Sequence, residues 1–173
     1  TRHNAGYDFL DLIAKEFNAD FNYLKKIDAD YVEIDFEDQK IALIKPREFI
    51  NRSGKTLQLV RKYKVKNTKD ILVVHDDMDL EPGGVKLKLS GGHAGHNGLR
   101  DILKAIGSDF VRLRFGIGHP PNKEHTDAWV IKKPNPQEKE KMATAFEKAK
   151  NNIGKILHKD WMIIMNDLHS NEH

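Results

Sequence analysis

A mixed α/β fold, one sheet with helices on both sides, is predicted by the order in which two hydrophobic periodicities alternate along the 173 residues. Three observations carry it. Residues 71–79 (ILVVHDDMD) begin as an apolar run and break abruptly into His75 and three carboxylates, the pattern of a short strand buried on both faces and ending in polar chemistry. Period-two segments recur at residues 31–36, 85–89 and 111–115, and helical rhythms starting at Phe9, Leu99 and Met142 are interleaved with them. In open α/β sheets ligands bind beyond the carboxyl ends of the strands, so Asp76, Asp77 and Asp79 are the first residues to consider for function.

Taken in order, Phe9, Leu10, Ile13, Ala14 and Phe17 recur at helical spacing, with His3 and Asn4 just ahead of them; Asn4 suits a helix cap. Val32, Ile34 and Phe36 alternate with polar residues, residues 37–40 turn the chain, and residues 41–44 complete a β-hairpin that Pro46 ends. Asn51 falls on a junction before a helix marked by Leu57, Val60 and Tyr63. After the residue 71 strand, Glu81-Pro82-Gly83-Gly84 forms a turn, and Val85, Leu87 and Leu89 alternate with Lys86 and Lys88. The glycine-rich SGGHAGHNG segment, residues 90–98, opens a helix carrying Leu99, Ile102, Leu103 and Ile106. Val111, Leu113 and Phe115 then alternate with Arg112 and Arg114 before Gly116 and Gly118 break the strand. Residues 128–131 read as a short strand, and from Pro136 the positions Met142, Ala145, Phe146, Ala149, Ile153, Ile156 and Leu157 keep a helical rhythm.

The chain is long enough for one domain with a substantial core. It contains no cysteine, which excludes disulfides, thiolate metal sites and a cysteine nucleophile and fits a cytoplasmic setting. No window approaches the roughly 18 apolar residues of a membrane span. The formal net charge is +3, but residues 85–114 carry six basic side chains against two acidic ones, a local phosphate-binding hint.

An imidazole can take a proton from water, and a carboxylate on its other nitrogen fixes the tautomer and stabilises the cation; His3 and Asp76 could form such a pair, though spacing alone does not bring them together. No serine lies in a G-x-S-x-G elbow, so water is the expected nucleophile of any hydrolysis. The carboxylates at 76, 77 and 79 also suit magnesium, or simply turns and caps. His93 and His96, with His75 or His119, are the alternative metal set, although their glycine loop gives no helix face on which to converge. That loop could receive an anion on its free amides. Asn51 and Asn97 offer both donors and an acceptor for a substrate backbone or an oxyanion, or cap helices. Lys86, Lys88, Arg112 and Arg114 form either a solvated sheet face or a phosphate clamp.

Five blocks together, TRHNAG at 1–6, FINRSGK at 49–55, VHDDMDL at 74–80, GGHAGHNGL at 91–99 and RLRFGIGHP at 112–120, resemble bacterial-type peptidyl-tRNA hydrolases. The resemblance implies hydrolysis of the ester joining a nascent peptide to the terminal ribose of tRNA. It implies His3 as the base, Asp76 as its orienting partner, and Asn97 as the residue positioning water. Asn51, Asn97, Phe49 and His96 correspond to substrate-holding residues, and Lys86, Lys88, Arg100, Lys104 and Arg114 to tRNA-phosphate contacts. Residues 128–148 are similar to a flap over the peptide groove. The family fold is an α/β/α sandwich around a mixed, mostly parallel sheet in a single, monomeric domain that needs neither metal nor cofactor. Family members carry a further strand and a glycine-asparagine-proline turn ahead of the TRHNAG block, where this sequence begins, so a domain over 1–173 lacking that first strand is expected. Ile50 replaces a common methionine, a swap of similar size.

Overall fold

The computed structural model describes residues 1–47, 53–122 and 125–169. In chain order a 3-10 turn (Arg2–Asn4) and α1 (Ala5–Glu16) precede β1 (Asn22–Leu24), β2 (Ala29–Phe36), β3 (Gln39–Pro46), α2 (Ser53–Tyr63), β4 (Leu72–Asp77), β5 (Val85–Lys88), α3 (Asn97–Ile106), β6 (Val111–Gly116), α4 (Thr126–Ile131), α5 (Pro136–Asn151), α6 (Ile153–Leu157) and α7 (Trp161–His169). These residues form two compact units, one of Thr1–Phe9, Val74–Lys88 and Arg112–His173, the other of Leu10–Val73 and Leu89–Val111.

The α/β class holds, but the expected single, mostly parallel sheet does not. Among the described residues the strands form two three-stranded sheets, ordered β1-β2-β3 and β4-β6-β5. The pairs β1-β2, β2-β3 and β5-β6 are antiparallel. β4 and β6 run in the same direction, because the Val111 N–H reaches the Ile71 carbonyl at 3.1 Å and, six residues on in each strand, the Ile117 N–H reaches the Asp77 carbonyl at 3.0 Å. Connection length explains the difference. β2 and β3 are joined by Glu37 and Asp38 alone, which permits only antiparallel pairing, whereas α3 lies between β4 and β6 and supplies the crossover a parallel pair needs.

In the second unit the hairpin register pairs Phe36 with Gln39 and Ala29 with Pro46, so β2 starts two residues before the predicted 31–36 and β3 runs two residues beyond the predicted 41–44 at each end. Ile27, Ala29 and Val60 form one small core, and Ile71, Leu99, Ile102, Ile106 and Phe110 another. Tyr31 on β2 is held neutral: burial first, then its hydrogen bond to Glu33 at 2.6 Å, push its pKa up to about 12. A raised pKa means that the folded state keeps its proton longer than the unfolded chain. Its contribution is therefore complete below pH ~10 and lost as pH rises through about 12. Alkaline unfolding followed by tyrosinate absorbance should show this loss, and Tyr31→Phe should flatten it.

In the first unit Phe9, Phe115 and Phe146 pack with ring centroids 5.0, 6.1 and 4.8 Å apart, and buried Val85, Leu87, Leu113 and Ile117 extend that core. β4 is buried most deeply at its polar end, His75 and Asp76, rather than at its valines, consistent with its place at the edge of the described sheet. The predicted strand at 128–131 is the helix α4 instead. Its conformation follows from tertiary contacts: the Trp129 indole N–H is bound by the Gly118 carbonyl at 2.9 Å, and the Trp129 carbonyl accepts from Arg2. The long rhythm from Pro136 to Leu157 becomes two helices, α5 and α6, and α7 follows. α5 starts at a capping box, in which the Asn135 side chain accepts from the Glu138 N–H while Glu138 accepts from the Asn135 N–H, and it stops at Asn152.

Candidate active site

The site in the first unit is built on the turn Arg2–Asn4 and the end of β4. Gly6 lets the two approach: a Cβ there would lie 2.3 Å from the Val74 carbonyl oxygen, which real contacts do not allow. Gly6→Ala should therefore push α1 and its preceding turn off β4, lowering stability by about 1–3 kcal/mol and activity with it. Thermal unfolding alongside a rate measurement checks this; unchanged values would mean that the backbone yields freely there.

Across that contact the His3 Nδ1 lies 2.9 Å from both Oδ1 and Oδ2 of Asp76, a pair 73 residues apart in the chain. Asp76 is 4% exposed and His3 19%, so the carboxylate is enclosed while the imidazole reaches solvent. A carboxylate only accepts, so Nδ1 is the protonated nitrogen and Nε2 the basic one. His75, beside it and buried, directs its own Nδ1–H to the Asp76 carbonyl at 2.7 Å and so fixes the peptide carrying the carboxylate.

The other two carboxylates of the run do not converge on Asp76. Asp77 accepts from Arg114 Nη1 at 3.1 Å and from the Asp79 N–H at 2.8 Å, which is turn-forming geometry. Asp79 meets His119 Nε2 at 2.9 Å on the exposed surface, where such a pair contributes little. The three carboxylates that also suited magnesium thus have three separate basic partners.

β5 and β6 place Lys86 directly opposite Arg114, and Lys88 opposite Arg112. Lys86, Lys88 and Arg114 reach solvent to differing degrees, but Arg112, 2% exposed, does not belong to a solvated face. Burial, and next the charge of Arg114, push its pKa down, opposed by Asp77; a guanidinium stays charged all the same.

The remaining predicted residues lie in the second unit or outside the described residues. His96 caps α3, its Nδ1 accepting from the Leu99 N–H at 3.0 Å, and His93 does the same for the Gly95 N–H at 3.0 Å; both imidazoles are tied to their own loop. Asn97 is the first residue of α3 and exposed; Arg100 and Lys104 are exposed one turn apart on the same helix. Phe49 and Asn51 lie outside the described residues. Sequence reasoning assigned no role to Arg2 and missed Trp129 and Glu138. Arg2 is buried, with its guanidinium 3.6 Å from the Trp129 ring centroid and 2.7 Å from Glu138 Oε2. An arginine beside a candidate base was the one available signal.

A family model described as peptidyl-tRNA hydrolase matches residues 1–173. Among curated relatives, a peptidyl-tRNA hydrolase of Dichelobacter nodosus is 42% identical over 171 residues, covering 98% of this chain and 90% of its own length. One from Neisseria meningitidis serogroup C is 40% identical over 172 residues, with 98% and 89% covered. Among solved structures, the Arg119Gln mutant of the Acinetobacter baumannii peptidyl-tRNA hydrolase superposes with a TM-score of 0.93 at 34% identity, covering 97% of this chain and 86% of that one. No helix among the described residues is long and apolar enough to cross a membrane.

Proposed function

Since the chain belongs to the peptidyl-tRNA hydrolase family, and so hydrolyses peptidyl-tRNA, we propose that His3 is the general base of that reaction and Asp76 the group that orients it. The observation that carries this reading is the paired 2.9 Å approach of His3 Nδ1 to both Asp76 oxygens, which leaves Nε2 as the basic nitrogen on a solvent-reaching ring. Water attacks the ester carbonyl carbon while Nε2 takes its proton, and Asp76 stabilises the imidazolium. The tetrahedral intermediate collapses with cleavage of the bond from the carbonyl carbon to the ribose oxygen. The imidazolium returns the proton to that oxygen, so the products are a tRNA with its terminal ribose hydroxyl restored and a free peptide acid, which releases water's second proton to solvent as it ionises to the carboxylate.

The other roles come with the family motifs. Asn97 positions the attacking water, and Asn51, Phe49 and His96 hold the peptide and the ester. Lys86, Lys88, Arg100, Lys104 and Arg114 contact tRNA phosphates; their basic character and the exposure of Lys88, Arg100 and Lys104 support this. The chain works as one α/β/α domain over 1–173, as a monomer in the cytoplasm, without a metal or a cofactor. The test is release of labelled peptide from purified peptidyl-tRNA, with and without excess chelator. The expected result is stoichiometric peptide and intact tRNA at equal rates in both. Salt-sensitive tRNA binding without release would reduce the chain to a binding module, and loss of activity in chelator would overturn the metal-free mechanism.

A further inference from the structure

We propose that Arg2 is a positioning residue for the base, holding the backbone of the His3 turn while Asp76 holds its ring; this rests on His3 being that base. Arg2 precedes His3 in the same 3-10 turn, Arg2–Asn4, so the two backbones move together. Outside its own turn, Arg2 is held by contacts from residues 129–138. Its N–H donates to the Lys132 carbonyl at 3.0 Å and its Nη1 to the Trp129 carbonyl at 3.1 Å. Nε and Nη2 both donate to Glu138 Oε2, at 3.1 and 2.7 Å, and the guanidinium plane stacks on the Trp129 indole.

The anchors are themselves fixed. The Trp129 indole N–H is bound to the Gly118 carbonyl just beyond β6, and Glu138 closes the capping box of α5. A planar fork that binds a carboxylate through two nitrogens, stacks on a ring and reaches a carbonyl defines direction as well as distance, which a lysine ammonium does not. The need for this is physical. The two 2.9 Å contacts of His3 Nδ1 with Asp76 act on the ring, whereas the position of the backbone that carries it is set by the turn. A base must be held to within about 0.5 Å of its productive position, and misplacement by about 1 Å costs on the order of 100-fold. Anchoring the turn at Arg2 removes the remaining freedom.

The experiment compares the wild type, His3→Ala and the double variant Arg2→Met with Glu138→Gln, which removes both charges of the partly buried pair and so leaves neither desolvated without its partner. Melting temperature and circular dichroism report the fold; kcat and KM for peptidyl-tRNA report the role. The expected result is a folded double variant with kcat about 10- to 100-fold lower and KM within about twofold of the wild type. Arg2→Lys, which keeps the charge, should lose nearly as much kcat, and added guanidinium should restore part of the rate of Arg2→Ala. A folded double variant with unchanged kcat, or with KM alone raised, would overturn the proposal. Should the double variant not fold, the lysine variant and the guanidinium rescue decide: full activity in the first, or no restoration in the second, overturns it. An active His3→Ala enzyme would instead sink the assignment of the base, and that outcome is read separately.

Discussion

His3→Ala is expected to hydrolyse peptidyl-tRNA on the order of 10² to 10⁴ more slowly than the wild type, a barrier roughly 3 to 5 kcal/mol higher. The imidazole is 19% exposed and its only role in the proposed chemistry is to accept and return one proton, so the loss should fall on kcat. Alanine is a good helix former in a turn that runs straight into α1, and the fold should survive, as a melting curve would verify. Single-turnover hydrolysis of labelled peptidyl-tRNA is the measurement. A variant retaining the wild-type rate would remove His3 from the mechanism whatever its distance from Asp76.

Asp76→Asn is expected to cost a similar factor, on the order of 10² to 10⁴, for a different reason. Both carboxylate oxygens lie 2.9 Å from His3 Nδ1, so in either amide orientation an NH₂ group faces that nitrogen. The amide oxygen stands equally close and can still accept from Nδ1–H, but wherever the NH₂ donates instead, the ring proton moves to Nε2 and the basic site is lost. The negative charge that stabilises the imidazolium is lost as well. Because Asp76 is buried, the neutral amide relieves desolvation, and thermal stability should change far less than rate. An Asp76→Asn enzyme with a normal rate and an unaltered pH–rate profile would show that the imidazole needs no orienting partner.

The comparison of Asp76, Asp77 and Asp79 shows how far a linear pattern reaches. All three stand in one run at the end of a strand, equally fit for catalysis, metal binding or turn formation. Only the fold distributes them, to His3, to Arg114 and the Asp79 amide, and to His119. Arg112 makes the same point for burial. Its alternation with Val111 and Leu113 reads as a solvated face, yet it is enclosed, since period two reports that a face is different, not what covers it. α4 was misread because six residues are too short for a helical rhythm to declare itself. The hairpin was legible because both strands lie within one short stretch, but its turn is Glu37 and Asp38 rather than residues 37–40, and the pairing of Phe36 with Gln39 came only with the structure.

What the sequence by itself determined was the chemistry available and the local conformation: an imidazole near the amino terminus, three acids ending a strand, asparagines and cations in five recognisable blocks, and two periodicities that depend on neighbours a few residues away. Tertiary structure alone decided which of these groups meet. His3 finds Asp76 across 73 residues and Arg2 finds Glu138 across 136, contacts made by the packing of turn, strand and helix, for which no spacing in the chain is a surrogate. Hydrogen bonding and stacking act over a few ångströms in space, and that separation bears no fixed relation to distance along the chain.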